Sequence, residues 1–176
     1  LSADMVDKLG KSQSHYLTKV MRIKEDESFS LFNKEGEWEG KILLCKRAIE
    51  PRLNYWTLPA GFLENEEPLE FGAARESKEE ANAYSNDLRI FSIYSLIHIS
   101  QIYIMYYGTL KDGKHSPGLE ESFETKLYAQ EEIPWDELAF PIITENLKLF
   151  FDKEKTDKPH TGTVDKVGDE YKIIRS

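Results

Sequence analysis

The sequence predicts a single α/β domain, and three observations carry the prediction. Its 176 residues suit one domain that can bury a core of its own. Residues 89–99 and 101–110 are rich in Ile, Tyr and Phe, the composition of β-strands. Residues 69–82 and 141–153 have the length and side-chain pattern of helices.

Taken in order, residues 1–14 are polar without a clear period and predict a short helix or an ordered tail at most. From His15 the text turns strand-like over residues 15–23, 29–32 and 41–46. Turn chemistry at Asn33-Lys34-Glu35-Gly36 separates the last two, so an antiparallel meander is expected. The first helix begins after Pro68, where proline suits a helix start, and contains no glycine except Gly72. The two long strands meet at a turn near Ser100, and a polar, turn-rich stretch over residues 111–118 follows them. Residues 124–129 read as one more strand. In the second helix Ile142, Ile143, Leu147, Leu149, Phe150 and Phe151 form the apolar side. The charged residues from Lys155 onward are expected to fold back or fray. The resulting division is an N-terminal extension over 1–40 with one or two strands, a core over 41–154, and a C-terminal tail over 155–176.

Apolar residues make up 40% and charged residues 31%, a soluble globular mixture. The formal charge of −9 and pI near 5.0 argue against a protein whose main task is to cover a phosphate backbone, so no nucleic-acid partner is expected. An anionic small substrate would need a cation carried in with it. One cysteine, Cys45, excludes an internal disulfide framework and a thiolate-cluster zinc site, and fits a reducing compartment. No stretch has the eighteen or so apolar residues of a membrane span, and residues 1–5 lack the features of a signal peptide. A cytoplasmic location and no membrane partner are the expectations.

The informative stretch runs from Gly61 to Ala83. On a helix, Glu76, Glu79 and Glu80 stand at i, i+3 and i+4, so three carboxylates share one face. No cation is expected between them, and without a metal the crowding is destabilising. Oxygen-rich, thiol-free ligation of this kind suits Mg²⁺ or Mn²⁺. Ala73, Ala74, Ser77 and Ala81 are small and would let the opposite side lie close against a sheet. Alone, residues 76–80 also read as an ordinary solvated helix face.

The spacing of the whole stretch resembles the Nudix box. In that motif glycine is followed after five residues by glutamate, after seven more by Arg-Glu, then an aliphatic, any residue, Glu-Glu, any residue and glycine. Gly61, Glu67, Arg75, Glu76, Glu79 and Glu80 all fall in place. Ser77 stands where an aliphatic is usual, and Asn82 where the helix-ending glycine is usual. Asparagine is the next best residue for a left-handed helix terminus. The resemblance extends to residues 43–52, 55–62, 121–122 and 139–141, which are similar to the branch of FAD and ADP-ribose type pyrophosphatases. Many members of that branch carry a zinc ribbon ahead of this domain, but nothing before Cys45 is a cysteine.

The resemblance implies an α/β/α sandwich with a mixed β-sheet, and hydrolysis of a nucleoside diphosphate linked to another group. It assigns Glu76, Glu79 and Glu80 to the metal, with the backbone oxygen of Ala60, and makes Gly61, Glu67 and Arg75 structural, the last two as an ion pair that holds the loop to the helix. Glu79 would also be catalytic, and a further carboxylate from a distant loop would complete the site: Glu121 first, Glu124 next, then Glu120. That carboxylate should arrive on a mobile loop supplied by Gly113, Pro117 and Gly118. Arg47 and Arg52 could grip phosphates. Tyr55 and Trp56 could face a base or flavin ring, or belong to the core. His15, His98, His115 and His160 lie at no metal spacing, and Cys45 reads as a small buried hydrophobe. The alternative from another class is a Nudix-fold module that senses a nucleotide without cleaving it. A homodimer is the default assembly.

Overall fold

The computed structural model describes residues 32–33, 36–37, 41–118, 120–152 and 158–176. Residues 1–41 and 42–176 form separate compact units. Of the first, a two-stranded hairpin is described: β1 (Phe32–Asn33) runs antiparallel to β2 (Gly36–Glu37), with Asn33 opposite Gly36. Lys34 and Glu35 of the turn expected there lie outside the described residues. The helix or tail over 1–14 and the strand over 15–23 lie outside the described residues.

The second unit contains β3 (Ile42–Arg47), β4 (Trp56–Thr57), α1 (Leu69–Ala81), β5 (Ser85–Leu96) and β6 (Gln101–Leu110). After these come β7 (Ser122–Tyr128), α2 (Pro141–Phe151), β8 (His160–Val167) and β9 (Glu170–Arg175). One sheet has the order β4-β3-β7 and the other the order β6-β5-β8-β9. The pairing of β5 with β8 is parallel and the rest of that sheet antiparallel, so it is mixed, as expected. Residues 15–23 and 29–31 of the expected meander lie outside the described residues, and among the described ones β3 takes β4 and β7 as its partners. The turn at Ser100 is formed by that residue in the left-handed conformation, at φ 54 and ψ 43. The expected tail carries two strands rather than a frayed end.

Alternation along β3 places the helices. Leu43 and Cys45 pack with Ala81 of α1, whereas Ile42 and Leu44 pack in the main core with Ile142, Ile143 and Leu147 of α2. Successive strand residues point to opposite faces, so α1 and α2 cover opposite sides of β3. The main core also takes Trp56 from β4, Tyr94 and Leu96 from β5, Tyr128 from β7 and Val164 from β8. Inside α2 the buried Asn146 accepts from the Ser92 hydroxyl and donates to the Ile142 carbonyl, so its amide is satisfied where it would otherwise be costly.

Candidate active site

The acidic helix α1 is delimited by its two flanking residues. Pro68 stands at its N-cap, and Asn82 ends it at φ 45 and ψ 30. The Asn82 N–H donates to Lys78 O at 2.9 Å and the Ala83 N–H to Ser77 O at 3.1 Å, which turns the chain out of the helix. Asn82 thus does the work of the usual glycine. Ser77 turns its hydroxyl onto the Ala73 carbonyl at 3.0 Å, so the polar residue in the aliphatic position is satisfied within its own helix.

Ahead of the helix, the Glu76 carboxylate lies against Gly61 so closely that any Cβ there would collide with it. Close approach, and not an unusual φ, is what this glycine permits. Arg75 then ties loop to helix. Its Nε and Nη2 grip both oxygens of Glu67 at 3.0 and 3.1 Å, and Nη2 also donates to Phe62 O at 3.0 Å. Its Nη1 donates to Glu76 at 2.6 Å and to Glu79 at 2.9 Å. The helix therefore does have a cation among its carboxylates, contrary to the sequence expectation. Spacing identified the three acids but could not show that Arg75, one residue before them, bends back over two of them. Hydrogen bonds from Arg75 and then from the Glu64 N–H hold the Glu67 carboxyl below its usual range.

Glu80 is different, being only 4% exposed. Its Oε2 accepts from the Ala60 N–H at 3.3 Å, so Ala60 enters the described site as a donor. Burial pushes the Glu80 carboxyl up to about 8, and the charges of Glu121 and Glu76 push the same way, while the Ala60 bond and Arg47 oppose them. This buried acid gathers the candidates: Glu76 from its own helix, Glu121 from the segment before β7, and Arg47 from the end of β3. Arg47 is anchored by its Nε on Pro51 O at 2.8 Å, with its guanidinium 5.3 Å from the centre of the Phe140 ring.

Other expectations are revised. Glu124 pairs across β3 with Lys46, whose ammonium stands over Trp56, and its charge acts on Tyr128. Strand alternation thus turns Glu124 to the α2 side, away from α1. Trp56 is 4% exposed and edge-packed on Tyr128, so it is core and offers no face to a ligand. Tyr55 is half-buried, and the exposed Arg52 stands over its ring at 5.4 Å. The loop expected to be mobile is pinned to the end of α1: the Ser116 N–H donates to Ala81 O at 2.9 Å and the Gly118 N–H to Glu80 O at 2.8 Å. Cys45 is buried as expected, and burial raises its thiol to about 12. His115 bonds Thr125, which leaves it structural. An open groove lined by Gln130, Glu131, Trp135, Lys148, Phe151 and Asp152 contains none of the box residues.

The carboxylates and backbone oxygens gathered here are hard oxygen donors, which suit a small dication by chemistry. Among the described residues no three acidic, His or Cys side chains are grouped to hold a metal ion, and Glu76 and Glu79 are engaged by Arg75. A bound dication would take over oxygens that now face the guanidinium.

A family model described as the NUDIX domain matches residues 28–152, more than half of the chain. The chain belongs to the Nudix family. A NUDIX hydrolase from Nitrosomonas europaea is 47% identical over 74% of this chain and 74% of that one, with a TM-score of 0.67. With it comes the enzyme class, a pyrophosphatase. The NUDIX domain of Shewanella oneidensis NrtR complexed with ADP-ribose is 18% identical over 82% of this chain and 100% of that one, at a TM-score of 0.54. An ADP-ribose pyrophosphatase from Streptococcus suis is likewise 18% identical, over 77% and 95%, at 0.55. These two show the fold alone. A second family model, described as the RNA methyltransferase PUA domain, matches residues 9–44, of which few are described. No curated protein matches the chain. No helix among the described residues is long and apolar enough to cross a membrane.

Proposed function

We propose that this Nudix enzyme is a Mg²⁺- or Mn²⁺-dependent hydrolase of a nucleoside diphosphate joined to a second group, of the FAD, ADP-ribose or NADH class. The products would be a nucleoside monophosphate and a second phosphorylated compound. The observation that carries the reading is Glu80, a buried carboxylate with Glu76 and Glu121 charged beside it and the box loop fastened over it. Such a place favours a dication. Glu76, Glu79 and Glu80, with the backbone oxygen of Ala60, are the donors that would hold it. Bound there, the metal neutralises the diphosphate and favours attack by water.

The rest belongs to the chain. Gly61 lets Glu76 approach the loop, and the Arg75–Glu67 fork keeps loop and helix in register. Glu121 is the favoured base: it takes a proton from the attacking water as the new P–O bond forms and the anhydride P–O bond breaks. Arg47, anchored on Pro51 O, and Arg52 above Tyr55 would meet the phosphates and the attached group. Support for the substrate class is the sequence resemblance over residues 43–52, 55–62, 121–122 and 139–141; a cytoplasmic location is part of the same proposal. Incubation with Mg²⁺ and a panel of FAD, ADP-ribose, NADH and diadenosine compounds, with product analysis, tests it. Metal-dependent release of a nucleoside monophosphate from one of the first three is expected. Binding without cleavage would establish the sensing module instead.

A further inference from the structure

We propose that Asn82 is a positioning residue: its side-chain amide clamps the segment 116–118 across the end of α1 and thereby holds Glu121 beside Glu80. The inference rests on the reading of Glu121 as the base. Backbone geometry alone does not call for asparagine here, since at φ 45 and ψ 30 a glycine would cap the helix as well. What asparagine adds lies in its side chain. Nδ2 donates toward Ser116 O at 3.3 Å, Ser116 Oγ at 3.1 Å and Pro117 O at 3.1 Å. Two of these acceptors are carbonyls, so the amide must present its nitrogen to the segment.

The backbone completes the clamp. The N–H groups of Ser116 and Gly118 satisfy the carbonyls of Ala81 and Glu80, two of the acceptors a helix end leaves open. Gly118 is buried and lies so flush on α1 that a Cβ would land on the Glu79 carbonyl. Farther along, Glu121 is fixed by its own carbonyl, which accepts from the Ala48 N–H at 2.8 Å. Glu121 is therefore held between two anchors, one on α1 through Asn82 and one just past β3. Without the Asn82 side chain the first anchor keeps only its two backbone bonds.

The test is Asn82→Gly, which keeps the left-handed cap free of strain, made in the wild type and in Glu121→Gln. We expect Tm to stay within about 2 °C of wild type, kcat to fall about tenfold with KM unchanged, and amide exchange to quicken at Ser116 and Gly118 but not through the middle of α1. In the Glu121→Gln background the same substitution should cost nothing further in kcat. Unchanged exchange at Ser116 and Gly118 overturns the clamp, whatever the activity. Equal kcat losses in both backgrounds overturn the link to Glu121, as does wild-type kcat in Asn82→Gly when Glu121→Gln is impaired. Full activity of Glu121→Gln itself sinks the base assignment and the positioning role with it, and is distinguishable from the other outcomes.

Discussion

Glu80 concentrates the chemistry of the site in one residue. Its carboxyl is pushed from 4.5 up to about 8 in the folded protein, so the fold prefers it protonated. Stability from this group is complete below pH 4.5 and is lost as pH rises toward about 8 in the metal-free protein. Protons and a dication then compete for the same oxygens, so the rise in Tm produced by millimolar Mg²⁺ should be larger near pH 8 than near about pH 6. Glu80→Gln should flatten both dependences; a Mg²⁺ increment in Tm that is equal at the two pH values would remove Glu80 from the metal site. The acids of this site were legible because their spacing follows from helix geometry alone. The Arg75–Glu67 pair was legible with them and is present, but nothing in the order Arg75-Glu76 says that the guanidinium also folds over Glu76 and Glu79. Trp56 shows the converse: an aromatic beside Leu58 reads as core more often than as platform without excluding the platform, and the ring of Tyr128 against it decides for the core.

At the scale of elements, the box is a loop and a helix that fit because one position carries no side chain. Gly61→Ala must move the Glu76 carboxylate, since the added methyl would occupy its place. Gly61 is exposed and its φ is ordinary, so the fold has little reason to fail. We expect a Tm within a few degrees of wild type and kcat reduced by about a hundredfold, the scale of a displaced catalytic group. Wild-type kcat in this variant would show that Glu76 does not need its position against the loop. The long elements α1, α2, β5 and β6 were legible to within a few residues, the strands from their Ile, Tyr and Phe content and the helices from their length and boundaries. The clamp over the end of α1 was not. Ser116, Pro117 and Gly118 look like any flexible turn, and their engagement depends on carbonyls that are left open only because α1 stops at Ala81.

The whole molecule is closed by a segment whose sequence gave the weakest signal. Residues 160–175 are mostly exposed, and of β8 only Val164 is fully buried, so neither strand shows the alternation that marks a half-buried strand. The available clue was the pair Gly168-Asp169, a two-residue turn between Val167 and Glu170 with Gly168 at φ 65. In the structure β8 lies between β5 and β9, and it covers the inner edge of β5 from Ser92 to Leu96. The Arg175–Glu145 pair joins β9 to α2, but Arg175 is largely exposed and the pair contributes little. Backbone pairing along β5 and the burial of Val164 therefore hold the hairpin in place. A chain ending at residue 157 would leave the edge of β5 open beside the buried Tyr94 and Leu96, a template for association with other chains. Such a chain should be recovered as aggregate or without a cooperative melting transition. Val164→Ala, which keeps every backbone bond and removes two methyl groups from the core, should stay soluble with Tm lowered by about 2 to 6 °C. A truncated chain that melted cooperatively within a few degrees of wild type would make the hairpin an appendage and leave the β4-β3-β7 and β5-β6 pairings sufficient for the fold.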